Sequence, residues 1–461
     1  MGHKENPPET QDEVLYGVSS TVLDNIRIAL DTKRYKHLRF LLKELHAADV
    51  ADVMLHLSVE ERESFLEAIK AVFDPNILIE LEPSILTHVL DVLDINALAK
   101  AISGLNSDDA LYIIEDLKEE KRQKLLLSLP AKDRVIFEKY LTYPEQSAGR
   151  LMQREIVCVP PFWNTQQTLD FIRDTAELPQ NFYDIYVVDP RHHPVGKIPL
   201  SHLVKAPRDN VVSDIMAEEI HTIPVLADQE EVALSFNHYA LVSAPVVNEE
   251  GRIVGMITVD DVVEVIEEEI EEDIRLMSKV SAASDFYDPV LLTAGWRIRW
   301  LLITIVNTLI ASYVISRFES SIQNLTALSF LMTINAAMGG NAGMQVVTVV
   351  VRALATRTLR EGDTWRAIRK EVNVSLLVGL FCSAVLALIA GAWLHNWGIS
   401  LILGISLIFN ILWAGFAGTF LPIFIEKLGM DPAISAGPLL TTTTDVFGYT
   451  IFLGLATLFL L

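Results

Sequence analysis

Beyond Arg299 the chain runs without a formal charge over 300–316, 320–351 and 372–425, and over 432–461 with Asp445 as the single exception. A helix that crosses a bilayer takes about 20 apolar residues. The third run is too long for one helix and is interrupted at Trp393-Leu394-His395-Asn396-Trp397-Gly398, where tryptophan suits a membrane interface. Five spans are predicted.

The charge is divided in the same place. Residues 296–461 hold ten Lys and Arg against seven Asp and Glu, which leaves 27 against 53 for residues 1–295: net +3 behind, net −26 in front. So acidic a front part repels phosphate backbones and excludes nucleic acid as a partner. Its regular apolar periodicity excludes disorder. Two cysteines, Cys158 and Cys382, give neither a disulfide framework nor a metal cluster. The opening MGHKENPPETQDE has no apolar core of a signal peptide, so the front part is expected in the cytosol. The inner side then receives Arg297, Arg299, Arg352, Arg357, Arg360, Arg366, Arg369, Lys370 and Lys427, against Arg317 outside. That bias places the N-terminus inside, and an odd number of spans places Leu461 outside a cell (inner) membrane.

Two features of the apolar part carry chemistry. Within 320–351 stand Asn335, Gly339-Gly340-Asn341-Ala342-Gly343 and Gln345. Gly339 and Gly343 fit a close helix crossing; the same residues fit a locally unwound backbone that offers polar groups to a permeant species. The other feature is Asp445, behind Thr441-Thr442-Thr443-Thr444. A last helix starting near Ala436 would carry it about 15 Å in, near mid-bilayer. A carboxylate there costs at least ~2.5 kcal/mol unless it faces protein or water. It either ties helices together or holds a cation, and a lone carboxylate suits hydrated Mg2+.

The front part contains two internal repeats. Ala51–Arg62 resembles Ala110–Lys121 in a helical apolar pattern, which predicts an α-superhelix of stacked hairpins. Asp49, Asp52, Asp108 and Asp109 fall at its helix starts, where capping competes with metal binding as their role. Further on, Leu151–Pro160 matches Ile215–Pro224, and Tyr186-Val187-Val188-Asp189 matches Pro245-Val246-Val247-Asn248. Each copy reads strand, helix, strand, turn, strand, helix, a layout similar to a tandem pair of CBS domains. Gly255–Asp261 resembles the CBS nucleotide-contacting stretch, whereas the first copy has Pro199 and His202 at the matching places. Between this pair and the first span, nine of the fourteen residues 260–273 are acidic. Val262, Val263, Val265, Ile266, Ile270 and Ile274 mark an apolar side, so an amphipathic acidic helix is predicted, either a solvated connector or a cation sensor.

Taken in order, these parts resemble the MgtE family of bacterial magnesium transporters from about Val22 to the end. Gly339-Gly340-Asn341-Ala342-Gly343-Met344-Gln345 is similar to the family's GGNxGxQ, and Asp431-Pro432-Ala433, Gly437-Pro438 and Thr441–Asp445 to its DPA...P...T..D pattern. The resemblance implies a homodimer with a channel-like pore between subunits. Asp445 would bind hydrated Mg2+, and the lining would include Gly339, Gly340, Asn341, Gly343, Gln345, Gly437, Pro438, Thr441 and Thr444. It also implies closure by cytosolic Mg2+ held on Asp261, Glu264, Glu269, Glu272 and Asp273 of a connecting plug helix, with Asp108 and Asp109 as further metal residues. Mg2+ is the one cofactor expected, and ATP a partner that the second CBS copy would admit. The sequence departs from the family at Met344, where Asn or Thr is common, and at Tyr112, where an acid is common.

The expected fold class is a multidomain membrane protein: a tail (1–21), an α-superhelical N domain (22–148), two α/β CBS domains (149–208 and 209–263), an acidic connecting helix (264–292) and a five-helix transmembrane domain (293–461). The expected function is passive Mg2+ uptake, with no enzyme activity. A phosphate-cradling GxxxxGK[ST] motif is missing from the sequence, so no nucleotide-driven pump is read. Two alternatives stand beside it, a divalent-cation sensor with a membrane anchor and a proton-coupled exchanger with Asp445 as proton carrier.

Overall fold

The computed structural model describes residues 17–278 and 290–461, apart from 44, 71, 176, 177, 180 and 360. The N-terminal tail to residue 16, the end of the connecting segment (279–289) and Arg360 lie outside the described residues. Contacts divide the chain into two compact units, 1–267 and 268–461.

The first unit opens with short helices: α1 (Ser20–Asp31), α2 (Tyr35–Leu42), α3 (Ala47–Leu55), α4 (Val59–Ile69), α5 (Pro83–Val92), α6 (Ile95–Ile102), α7 (Ser107–Asp116), α8 (Glu119–Ser128) and α9 (Ala131–Tyr140). The sequence repeat appears as two helix pairs, α3–α4 and α7–α8. Local signals set their starts: Ser58 accepts from the Glu61 N–H while Glu61 accepts from the Ser58 N–H, and Asp94 caps α6 through the Ala97 N–H. Each helix turns one apolar side inward, and Ile26, Leu38, Phe65, Leu98 and Ile113 are fully buried in a core that continues to Val262 and Val265.

After α10 (Ala148–Leu151) the second repeat folds twice. The first copy runs β1 (Cys158–Val159), α11 (Thr165–Asp174), β2 (Asp184–Val188), β3 (Pro194–Pro199) and α12 (Leu200–Lys205). The second follows α13 (Val212–Ile215) with β4 (Ile223–Pro224), α14 (Gln229–Tyr239), β5 (Ser243–Val247), β6 (Ile253–Thr258) and α15 (Val259–Met277). In each sheet the outer pairing is parallel, β1 with β2 and β4 with β5, and the hairpin antiparallel, β2 with β3 and β5 with β6.

The copies exchange segments. Gln153 and Met256 trade backbone hydrogen bonds across the pair, as do Lys197 and Ala217. A Cβ on Gly196 would lie 2.4 Å from Met216 Sδ, and one on Gly255 2.8 Å from Met152 Sδ and from the Gln153 carbonyl. Met152 therefore packs into the second copy, while Val212, Ile215 and Met216 pack into the core of the first.

In the second unit five helices are long and apolar enough to cross a membrane: α16 (Val290–Ser316), α18 (Ala327–Ala355), α19 (Thr364–Leu394), α20 (Trp397–Lys427) and α21 (Pro432–Leu460). The break predicted at 393–398 is a turn. His395 takes φ 53° and Asn396 caps α20, accepting from the Gly398 and Ile399 N–H groups. The run 320–351 divides into a short α17 (Glu319–Asn324) and the spanning α18. The last helix begins at Pro432 rather than near Ala436, because Asp431 caps it and proline suits its first turn. Asp445 then lies about 20 Å into α21 at 1.5 Å per residue, still near its middle.

Helix α20 is the centre of the bundle, with Leu403, Leu407, Ile411 and Ala414 fully buried; α16 buries only Ala311. Small residues bring the backbones together: a Cβ on Gly418 would stand 3.0 Å from the Gly343 carbonyl.

Candidate cation sites

Folding brings two sets of carboxylates together, one in each unit. In the first unit Asp108 and Asp109, in the first turn of α7, face Asp260 and Asp261, in the first turn of α15. Burial raises Asp108 well above the usual carboxylate range, and Asp261 and Asp109 add to it. Asp109 is pushed up to about 6 by burial, then by Asp261, Asp260, Glu80 and Glu155. Asp261 also reaches about 6: burial raises it, Asp260 adds to that, and hydrogen bonds from Thr258 oppose it. Thr258 donates to Asp261 Oδ2 through Oγ1 at 2.7 Å and N–H at 3.2 Å.

The cluster is held by structure around it. Ser107, the first residue of α7, donates to Glu155 from both Oγ (2.8 Å) and N–H (3.2 Å), while its Oγ accepts from the Arg154 N–H at 2.7 Å. Neither Asp108 nor Asp109 is the N-cap, which is Asn106. In the matching copy Asp49 closes a capping box with His46, and Asp52 sits in the middle of α3, not at its start. Among the described residues no three Asp, Glu, His or Cys side chains surround a ready-made metal position. The acids converge without forming a cage.

In the second unit the end of α15 meets the start of α21. Leu276 is buried against Val347, Val351, Ala417, Ile425, Ala433 and Ala436. This docking sets Glu272 and Asp273 near Asp431, with Glu269 beside them. Asp273 is pushed up to about 6 by burial, then by Asp431, Glu269 and Glu272. Glu272 is raised by burial, Glu269 and Asp431, and pulled back by Arg275. Glu264 is exposed. Only part of the predicted apolar side of α15 is covered: Val262 and Val265 are buried, whereas Val263, Ile266, Ile270 and Ile274 are exposed.

The polar residues of the spans separate by surroundings. The backbone at Gly339–Gly343 is continuous helix, so the close crossing and not an unwound segment is what forms. Gly339 and Gly343 are buried, the first against Asn410 and the second against Leu440. Asn341 and Gln345 are exposed, and Gly340 and Met344 are half-covered. On α21, Gly437 is buried and Thr444 fully so, its hydroxyl donating to the Leu440 and Thr441 carbonyls. Thr441 is half-buried and donates to the Gly437 carbonyl; the carbonyl of Pro438, a proline within the helix, accepts from Asn307 Nδ2 of α16 at 3.4 Å. Asp445 is half-buried, and no hydrogen bond or ion pair reaches it among the described residues.

Three contributors had no metal-site signal of their own. Glu80 and Glu155 lie far from 260–273 in sequence, and Asp431 stood only in the family's DPA pattern. Only convergence in space marks them.

An acidic, CBS-bearing part followed by five apolar helices, the last of which carries Asp445 near its middle, defines a multi-pass membrane protein. Family models agree along the chain: "Divalent cation transporter" matches residues 332–455, "MgtE intracellular N domain" 45–146 and "CBS domain" 212–268. The magnesium transporter MgtE of Thermus thermophilus is 34% identical over 442 residues, 95% of this chain and 98% of that protein. That of Bacillus subtilis is 28% identical over 94% of this chain and 96% of its own length. A solved structure of the cytosolic domain of the Mg2+ channel MgtE in complex with ATP is 30% identical, covers 53% of this chain and 99% of that one, and superposes with a TM-score of 0.49. The chain belongs to the MgtE family of magnesium transporters.

Proposed function

We propose that this chain conducts Mg2+ passively into the cell through a pore between two copies and closes it when cytosolic Mg2+ is plentiful. The observation that carries the reading is Asp445, the one carboxylate in mid-span, unpartnered among the described residues of its own chain. A half-buried acid in mid-span with no hydrogen bond or ion pair needs a cation or water, and a hydrated divalent ion is held by one or two carboxylates. One Asp445 from each copy would supply them. Asn341, Gln345 and Thr441 would line the path, with Gly340 and Pro438 beside them; the buried Gly339, Gly343, Gly437 and Thr444 would shape it through backbone position. The driving force is the membrane potential, about 2.3 kcal/mol per charge per 100 mV. The exposed apolar residues of α16 and Ile270 and Ile274 of α15 suit a second copy.

The converging acids supply the sensor. Like charges crowded together resist ionisation, and a hard divalent cation relieves them. Mg2+ on Asp108, Asp109 and Asp261, and on Glu269, Glu272, Asp273 and Asp431, would hold the closed form, with Glu264 adding charge. In this division residues 22–148, 149–208 and 209–263 sense, 264–292 transmit and 293–461 conduct. The N-terminus lies inside and Leu461 outside. ATP would enter only as a modulator through the second CBS copy.

The test is uptake into proteoliposomes with external Mg2+ and a lumenal indicator. Asp445→Ala is expected to abolish uptake; flux equal to wild type would reject the pore. Uptake that requires an opposing proton gradient would establish exchange instead.

A further inference from the structure

We propose that Asn410 and Asn335 form an amide lock that fixes the depth and rotation of α21, which makes both of them positioning residues for the Asp445 carboxylate. The proposal rests on the reading of Asp445 as the pore residue.

Both asparagines are fully buried in the bundle, Asn335 on α18 and Asn410 on α20. Each donates one bond to another helix's backbone: Asn410 Nδ2 to the Asn335 carbonyl at 2.9 Å, and Asn335 Nδ2 to the Gly448 carbonyl at 2.9 Å. A bond ending on a backbone carbonyl restrains the helix that carries it. The two together link α20 to α18 and α18 to α21.

The fit around Asn410 is equally specific. A Cβ on Gly339 would stand 2.2 Å from Asn410 Nδ2, and one on Gly448 2.6 Å from the same atom. The carboxamide therefore occupies a slot walled by bare backbone of α18 and α21. Gly448 is three residues after Asp445, one turn along α21. On the same turn Phe447 stacks on Trp413 of α20, with ring centroids 4.9 Å apart and planes 15° apart. Since no hydrogen bond or ion pair holds Asp445 among the described residues, its placement is inherited from these restraints.

The lock is also costly. Asn335 Oδ1, Asn410 Oδ1 and Trp413 Nε1 are buried without a hydrogen-bond partner. Unpartnered polar atoms in an apolar interior weaken a fold, and apolar residues of similar shape would serve cohesion better. Retaining two asparagines here fits a demand for helix position more than for stability.

The experiment measures Mg2+ uptake by the full-length protein in proteoliposomes across a range of external Mg2+, with the folded fraction followed by size exclusion. Gly448→Ala is expected to lower uptake, by up to about a hundredfold if the carboxylate moves by about 1 Å. Asn410→Ala/Gly448→Ala, where the shortened side chain makes room, should recover uptake to the level of Asn410→Ala alone. Asn410→Ala and Asn335→Ala alone should raise the half-saturating Mg2+ several-fold while remaining folded. No recovery in the double variant, or unchanged half-saturation in both single asparagine variants, overturns the lock. If Gly448→Ala does not fold, the asparagine variants decide alone. Asp445→Ala separates the two readings: wild-type uptake there rejects the pore itself, whereas a dead Asp445→Ala beside normal Asn410, Asn335 and Gly448 variants rejects only the lock.

Discussion

Asp273 near the end of α15 and Asp431 at the start of α21 hold like charges against each other, and Asp273 is pushed up to about 6 by burial and by that neighbour. Glu269 and Glu272 add the same sign. Apolar contact through Leu276 holds the two helices together while charge pushes them apart. A divalent cation between them would convert that repulsion into a bridge.

Removing the acids should therefore remove the response to Mg2+. In the variant Glu269→Gln/Glu272→Gln/Asp273→Asn, patch currents are expected to persist as cytosolic Mg2+ rises to the order of a millimolar, where weak oxygen-ligand sites fill. Wild-type currents should shut over that range. Normal closure of the triple variant would remove these residues from the gate.

Protons should partly replace the metal. Asp109 and Asp261 have folded values of about 6 against an ordinary 3.8. Between those values the folded state holds more protons than the unfolded state, so stability falls as pH rises through that window. In EDTA the thermal midpoint is expected to climb as pH drops from 7 to 5, with this contribution complete below about 4. Added Mg2+ should raise the midpoint more at pH 7.5 than at pH 5, and Asp109→Asn should flatten both dependences. Differential scanning fluorimetry reads each; a wild-type midpoint that climbs from pH 7 to 5 no more than that of Asp109→Asn contradicts the account.

The exchanged segments of the CBS pair predict an order of damage. Gly255→Ala forces a methyl against the Gln153 backbone carbonyl, whereas Gly196→Ala meets the Met216 side chain, which can turn away. Overpacking costs about 1–3 kcal/mol, and Gly255→Ala should fall at the upper end, Gly196→Ala at the lower. Urea denaturation followed by tryptophan fluorescence compares them, and equal midpoints would show that the backbone yields.

Orientation can be read with thiol reagents. In a Cys158→Ser/Cys382→Ser background, Leu461→Cys is expected to react with a membrane-impermeant maleimide in intact cells. Thr358→Cys, between α18 and α19, should react only after permeabilisation. The reverse pattern would invert the topology.

The fold was largely legible because its signals are local. Uncharged length gives the spans, the Trp393–Gly398 break gives the turn, and two repeats give paired hairpins and twin sheets. Less legible was which side each residue faces. Ile270 and Ile274 share the apolar side of α15 with Val262 and Val265, yet only the latter two are covered by this chain. The glycines of 339–343 fitted a close crossing or an unwound backbone equally, since one residue type serves both.

The amino-acid sequence alone determined the division into an acidic part and an apolar part and singled out Asp445, because solvent preference is a property of each residue and its neighbours along the chain. It also carried the motifs of the family. Only the tertiary structure decided that Asp108, Asp109, Asp260 and Asp261 converge, that Asp431 faces Asp273, and that Asn410 lies between Gly339 and Gly448. Those relationships join residues far apart in the chain, and they exist because apolar packing fixed the helices at distances where charge and shape must then be resolved.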